Sequence, residues 1–523
     1  MGEKKPKTEM EKEIDYLKKR RQEALQMGGP DKIARQHSQG KLTARERINI
    51  MFDAGTFQEY GLLATHQSHR EEMADKITPA DGVITGFGNI NGRRAGIIAE
   101  DFTVRGGSVG ITHGMKKVRM VQVATQEKVP LVWLLDGAGA RAEEFIAEGL
   151  PMVLHLLMIA RMSGIAPQVG VVMGPSAGDS SLCGSLLEFI IMTKTNSMMA
   201  AGGPPVVLAA LGHTVSKEEL GGWKVHCVES GVADNPAEDD KDALLMAKKY
   251  LSYLPSSAYE YPPYQVPDDD PDRMDEELLN ILPEKPRQPY DMKRIINCVV
   301  DKGSFFEIKP LFAQEMIIGF ARMNGHAIGI VANQPRVFAG AITAKAAMKE
   351  RHFIDLCAAY HIPLLFLVDV PGVMTGTESE KEGALRFGLA AAYSLAYADV
   401  PKITVVIHKA FGMGGCAMCG YGAGQTLTLA WPRVDFGSIP ADSGVLAAYK
   451  SELEKTKDPE ALQRELEEKF MKYSGPYPAA GAFNVDDVID PRETRPRVIR
   501  ALELAINRRV VPASPAIRIG VMP

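Results

Sequence analysis

The chain has few of the residues that staple, plug or anchor a protein. Six cysteines are scattered over 523 residues, which excludes a disulfide framework. Only Cys416-Ala-Met-Cys419 has the spacing of a metal-ligand or redox pair. No second Cys or His pair stands where it would complete a zinc site, so we read two buried thiols in a glycine-rich turn. No apolar run approaches the roughly 18 residues of a membrane span. The longest, such as 362–368 and 403–407, have the length of strands. The opening Met1-Gly-Glu-Lys-Lys-Pro-Lys7 lacks the apolar centre of a signal peptide, and a cytoplasmic protein is expected. A net charge of −5 provides no basic footprint for nucleic acid.

What is present is a repeat. Gly86-Phe-Gly-Asn-Ile-Asn91-Gly92-Arg-Arg-Ala-Gly96-Ile returns, 233 residues later, as Gly319-Phe-Ala-Arg-Met-Asn324-Gly325-His-Ala-Ile-Gly329-Ile. Val129-Pro-Leu-Val-Trp-Leu-Leu-Asp136 matches Ile362-Pro-Leu-Leu-Phe-Leu-Val-Asp369. In each copy short apolar strands alternate with helical spacing, as in Phe353, Leu356, Cys357 and Tyr360 before the strand 364–368. That pattern predicts an α/β fold made of two similar domains. A charged helical arm occupies about 9–53, with Thr43 as a helix N-cap. The first copy runs to 253, a proline- and acid-rich linker fills 254–289, and the second copy spans 290–523.

The chemistry is expected in glycine turns. Val169-Gly-Val-Val-Met173 leads into Gly174-Pro-Ser-Ala-Gly178-Asp179, and Ile403-Thr-Val-Val-Ile407 leads into His408-Lys-Ala-Phe-Gly412-Met413-Gly414-Gly415. A turn of this kind opening a helix presents free N–H groups at the positive helix end, where an anion or a developing oxyanion is stabilised. A second turn also recurs, Gly106-Gly107 against Ala339-Gly340. Two turns in each copy could converge their amides on one oxygen. A phosphate loop fits less well, because no Gly-Lys-Ser/Thr follows either turn. Asp136 and Asp369, at matching strand ends, read as loop caps. We find no metal cluster, no paired carboxylates in the turns and no repeated His/Asp/Ser set.

Several stretches together resemble the carboxyltransferase subunits of biotin-dependent acyl-CoA carboxylases, relatives of the crotonase fold. They are Gly40-Lys-Leu-Thr-Ala-Arg-Glu-Arg47-Ile, Asp101-Phe-Thr-Val-Arg-Gly-Gly-Ser108, Glu219-Leu-Gly-Gly-Trp-Lys-Val-His226, Gly319-Phe-Ala-Arg-Met-Asn-Gly325 and Val400-Pro-Lys-Ile-Thr404. Arg386-Phe-Gly-Leu is similar to the propionyl-CoA type, and Phe411-Gly-Met-Gly-Gly-Cys-Ala-Met-Cys-Gly420 to the methylcrotonyl-CoA type. The resemblance implies two tandem crotonase-like domains. The first would hold an acyl-CoA; the second would hold biotin borne by a separate carrier or biotin carboxylase subunit. It implies a homohexamer, a trimer of dimers, and no metal in this subunit. It places the acyl-CoA oxyanion hole at Gly178 and Asp179, the biotin hole at Met413 and Gly414, and an acyl-selecting position at Cys416. Gly106, Gly107, Ala339, Gly340 and Gly412 complete the implied substrate contacts.

The family's first turn usually reads Ala-Gly-Gly, whereas this chain has Ala177-Gly178-Asp179. A carboxylate there opposes an enolate unless it points away. The reverse reaction, in the alpha subunit of a biotin-dependent decarboxylase, is an alternative. A catalytically weak CoA-ester-binding assembly subunit is another, and a hydratase using Asp179 as its carboxylate is a third. Met348-Lys349 superficially resembles a biotin attachment sequence, but it aligns with Met115-Lys116 inside a helical pattern. Attachment at Lys349 is not expected.

Overall fold

A computed structural model of the chain describes residues 7–146, 154–285, 288–420, 422–506, 513–515 and 521. Its internal packing divides it into two units, one running to Ser252 and the other from Tyr253 to Val521. Among the described residues each unit is built on one eight-stranded sheet.

In the first unit the strands are β1 (Gln58–Tyr60), β2 (Val83–Ile90), β3 (Arg93–Glu100), β4 (Leu131–Gly137), β5 (Gln168–Ala177), β6 (Phe189–Thr193), β7 (Met198–Ala200) and β8 (Asn235–Ala237). They lie in the order β1-β2-β3-β4-β5-β6-β8, with β7 on the end of β5. The second unit repeats every step. Its strands are β9 (Phe306–Ile308), β10 (Met316–Met323), β11 (His326–Asn333), β12 (Leu364–Val370), β13 (Lys402–Phe411), β14 (Leu427–Ala430), β15 (Asp435–Gly437) and β16 (Asp487–Val488). Their order is the same, with β15 on the end of β13.

The chain order explains the geometry. β2 and β3 are joined by Asn91-Gly92, both at positive φ, a tight hairpin turn that forces antiparallel pairing. Asn324-Gly325 does the same for β10 and β11. The connections from β3 to β4, β4 to β5 and β5 to β6 each carry a helix, and these pairs are parallel. Leu131 to Leu135 are all fully buried, as expected for a central strand covered on both faces. Trp133 lies in the core with Val121, Ile98 and Val172.

The arm consists of helices Glu9–Leu25, Pro30–Ser38 and Ala44–Met51. Thr43 caps the third, and Glu46 returns the bond in a capping box. The arm reaches the sheet of its unit through buried charge. Arg47 donates to Asp136 (2.9 Å) and Asp240 (2.8 Å), and Lys41 donates to Asp136 (2.7 Å). Asp136 is therefore the fully buried anchor of the arm rather than a loop cap. Asp369 does not cap a loop either; it is buried and accepts from the hydroxyl of Tyr290 (2.9 Å).

Within 254–285 the only regular element among the described residues is a short 3-10 turn, Glu276–Leu279. Arg273 ties this stretch to its own unit through Asp269, Cys298 O and Val300 O. No helix of the described residues is long and apolar enough to cross a membrane.

Candidate functional site

The two glycine turns of each unit arise at the ends of neighbouring strands. After β3 the chain passes through Arg105, Gly106 and Gly107, all left-handed (φ +52°, +65° and +62°). After β5, Gly178 takes φ +56° and ψ −121°, a region open essentially to glycine alone. The helix Asp179–Gly184 begins immediately. Because β4 pairs with both β3 and β5, these turns flank the segment that follows it. A Cβ on Gly106 would lie 3.7 Å from Ala138 Cβ, and one on Gly178 would lie 3.8 Å from Gly139 Cα.

The second unit reproduces this. Phe338, Ala339 and Gly340 are left-handed (φ +47°, +53° and +79°), as is Gly412 (φ +52°). The helix Gly412–Ala417 follows β13. Two consecutive non-glycine residues, Phe338 and Ala339, sit where L-residues are strained. Strain kept in such a turn in both copies points to a task for its backbone.

Hydrogen bonding sorts the candidate donors. Gly178 N–H donates to Ala200 O (3.0 Å), Gly107 N–H to Val104 O (2.9 Å) and Gly340 N–H to Val337 O (2.9 Å). These three are spent inside the fold. The N–H groups of Gly106 and Asp179 have no partner among the described residues, nor do those of Ala339, Met413 and Gly414. The N–H groups of Arg105 and Phe338 are open likewise, so each unit presents two open amides from its first turn, together with the open helix start of its second.

The Asp179 side chain turns inward. It receives Lys117 Nζ at 3.0 Å and lies 2.5 Å from His155 Nε2, with Cys183 Sγ at 3.9 Å. Lys117 is fully buried and also donates to Glu100 (2.8 Å). Glu100 in turn accepts from Ser180 Oγ (2.6 Å) and from Asp136 N–H (2.9 Å). Burial disfavours the charged carboxylate of Asp179, but the Lys117 ammonium and the His155 hydrogen bond outweigh it. The group is held well below the ordinary carboxylate range. Such a carboxylate is a poor base, which argues against its use as a hydratase acid–base group.

His155, Asp179 and Cys183 also place three ligand-type atoms within 4.8 Å of one another, a cluster not visible in the sequence. The ammonium on Asp179 Oδ2 makes this an ion-pair network rather than a cation cage. Its sequence signal is Lys117 itself, on the stripe His113, Lys117, Val121 and Ala124 that the helix Ile111–Glu127 buries.

At the repeat position of Lys117 stands Glu350, on the helix Ala344–Ala359. It is fully buried, and neither carboxyl oxygen has a partner among the described residues. Burial alone pushes it up to about 8. The folded chain therefore keeps this proton at a pH where the unfolded chain has released it, and stability drains away as pH rises from about 4.5 to about 8. Glu350→Gln should melt at about the wild-type temperature near pH 5 and several degrees above it at pH 8, a difference on the order of 4 kcal/mol. A gap that does not grow with pH would count against an ionisable buried Glu350.

Lys349 is buried in the same helix and donates to the carbonyls of Lys309 (2.8 Å) and Phe312 (2.8 Å), so it is not available for attachment. The Cys416/Cys419 pair is not two buried thiols. Cys419 is buried but Cys416 is exposed. Cys416 lines a cavity of about 630 Å³ with Tyr397, Asp399, Lys402 and Gly420. A smaller cavity, about 260 Å³, lies beside Gly106 and is lined by Lys32, Arg35, Phe102 and Arg105.

Residues 35–518 match the carboxyl transferase domain family. The chain is 40% identical over 503 residues to the carboxyltransferase subunit of propionyl-CoA carboxylase from Haloferax mediterranei, covering 96% of this chain and 97% of that one. It is 37% identical over 500 residues to the methylmalonyl-CoA decarboxylase subunit alpha of Veillonella parvula, covering 96% and 97%. A crystal structure of transcarboxylase 12S, a hexamer with methylmalonyl-coenzyme A and methylmalonic acid bound, superimposes with a TM-score of 0.92 at 37% identity, covering all of both chains. The chain thus belongs to the carboxyl transferase family, as a carboxyltransferase subunit of the propionyl-CoA and methylmalonyl-CoA carboxylase type with two crotonase-like units in tandem.

Proposed function

We propose that the unit ending at Ser252 holds the thioester of an acyl-CoA and that the second unit holds biotin, borne by a separate carrier subunit. The observation that carries this is the repeated pair of open amides, Gly106 with Asp179 and Ala339 with Met413. In division of labour, 1–253 forms the acyl-CoA side, 254–289 the connection and 290–523 the biotin side. Gly106 and Asp179 donate to the thioester oxygen as the acyl α- or γ-carbon gives up its proton. Negative charge moves onto that oxygen only in the transition state, so fixed N–H donors lower the barrier more than they tighten ground-state binding.

The second unit fits a ureido oxygen for the same reason. Met413 and Gly414 offer N–H groups at a helix start and Ala339 offers one from the other turn, and the residue after the turn glycine is an uncharged Met where the first unit has Asp179. When bound, biotin supplies the transferable carboxyl group and the nitrogen that exchanges it for a proton. Gly106 carries the cationic cavity at its side, where Lys32, Arg35 and Arg105 suit the phosphates of CoA and Phe102 offers a ring. Gly107, Gly178, Gly340 and Gly412 shape the turns. Cys416 bounds the larger cavity, on the side where an acyl group or the biotin ring would be judged by size. Like the hexameric transcarboxylase 12S, the chain acts as a homo-oligomer, in the cytoplasm.

The test is label transfer. Purified chain is mixed with radiolabelled methylmalonyl-CoA and free biotin, then with other carboxylated CoA esters. Label should appear on biotin, and no transfer from any ester would overturn the reading. The likeness to the Veillonella subunit favours decarboxylation as the second reading of direction. Faster transfer onto biotin than back onto the CoA ester supports it.

A further inference from the structure

We propose that Lys117 is a positioning residue for the thioester hole, holding the Asp179 carboxylate away from the place where enolate charge develops. The inference rests on the assignment of that hole to Gly106 and Asp179. Asp179 has two incompatible properties. Its N–H is open at the start of the helix after β5, while its side chain carries a negative charge on the same residue. A carboxylate free to face the hole would repel an enolate oxygen, and a low-dielectric site would magnify the repulsion.

The structure resolves this with a chain of paired charges. Glu100, at the end of β3, fixes Lys117 at 2.8 Å, and Lys117 holds Asp179 Oδ2 at 3.0 Å. His155, buried on the helix Leu154–Met162, holds the other oxygen. Ser180 Oγ, the next residue of the turn, binds the same Glu100 oxygen as Lys117. Both residues that open the helix are thereby tied to one buried ion pair. The carboxylate retains 16% exposure, so it lies at the edge of the site and not deep below it.

The second unit is the internal control. At the repeat positions of Glu100, Lys117 and Asp179 it has Asn333, Glu350 and Met413, the offset growing from 233 to 234 by the turn where Gly178 meets Gly412. Where the turn residue has no charge, the holding cation is also missing. Lys117 and Asp179 therefore act as a pair, and neither is needed by the fold that both units share.

The test is a rescue experiment in the full chain. Lys117→Met alone would strand both carboxylates, so the variant is E100Q/K117M, which removes the buried pair and leaves only the Asp179 charge unheld. Transfer between methylmalonyl-CoA and free biotin is measured as kcat and KM, with acyl-CoA binding by calorimetry. E100Q/K117M should lose kcat by on the order of a hundredfold with KM within about threefold, because the charge it exposes acts on the transition state. Adding D179G should raise kcat at least about tenfold above the double variant. If the double variant keeps its kcat, or D179G gives no rescue, the inference is overturned. A merely structural loss would shift melting and KM, and any relief by D179G would then track recovered melting; rescue of kcat at unchanged melting and KM marks the positioning role. A wild-type chain that binds no CoA ester would instead sink the functional reading itself.

Discussion

Gly414→Ala should abolish carboxyl transfer, while Gly415→Ala, one residue on, should leave it nearly intact. Both glycines lie in the helix Gly412–Ala417 that opens the second turn. A Cβ on Gly414 would come within 2.8 Å of the carbonyl carbon and Cα of Gly372, and within 2.9 Å of Val370 Cγ2. Two of those three atoms are backbone and belong to the segment that the paired turns flank. They cannot rotate away, so the helix start must shift relative to β12 and carry the Met413 amide with it. A donor moved off the developing oxyanion costs about 100- to 1,000-fold in kcat. On Gly415 the nearest atom to an added Cβ is Ala410 C at 3.4 Å, an ordinary contact, and alanine is the better helix former. Steady-state kinetics with parallel melting curves decide the matter. If G414A keeps more than about a tenth of wild-type kcat while folded, the second turn does not hold a reacting oxygen.

The contrast between these neighbours also shows what a sequence can reveal. The repeat made the architecture readable, because Asn-Gly hairpins, apolar strands and proline-led strands recur in step, and each is a local signal. The turns were readable for the same reason: the recurring pairs Gly107/Gly340 and Gly178/Gly412 all take positive φ, and they follow strands in step. What could not be read was which amide in a turn is already spent. Gly178 looks like a donor in the sequence, yet its N–H is taken by Ala200 O, a partner brought close only when β7 lies on the end of β5. The destination of the Asp179 side chain was hidden likewise. Its partners Lys117 and His155 are distant in sequence, and their meeting depends on how two helices pack on one sheet. Cys416 and Cys419 show the reverse error. Their spacing suggested one shared environment, whereas Cys416, inside the helix Gly412–Ala417, faces a cavity and Cys419, just past its end, enters the core.

Replacing Arg47 by Met should destabilise the first unit by about 3–5 kcal/mol. Arg47 is fully buried and bridges two carboxylates, Asp136 at 2.9 Å and Asp240 at 2.8 Å. Burial disfavours its charge, but the two carboxylates more than offset this and hold the guanidinium protonated. Met fills much of the volume and matches none of the bonds. Asp136 would keep Lys41 (2.7 Å) and Gln36 (3.2 Å), but Asp240 would keep only the Leu42 N–H (3.0 Å). The expected damage is therefore that of an uncompensated buried charge at Asp240, and it predicts its own cure. In a double-mutant cycle, Arg47→Met combined with Asp240→Asn should cost clearly less than the sum of the two single changes. Urea denaturation of the four proteins measures this, and strict additivity would show that the two residues do not act as a pair. The consequence extends to the site. A Cβ on Gly174 would fall 1.9 Å from Asp136 Oδ1 and 2.6 Å from Lys41 Nζ, so this charge cluster presses directly on β5 four residues before the turn at Gly178. Loosening it should release the strand end that aims the Asp179 amide. R47M should then lose kcat at temperatures well below its own melting midpoint, and adding Asp240→Asn should restore part of that kcat along with the stability.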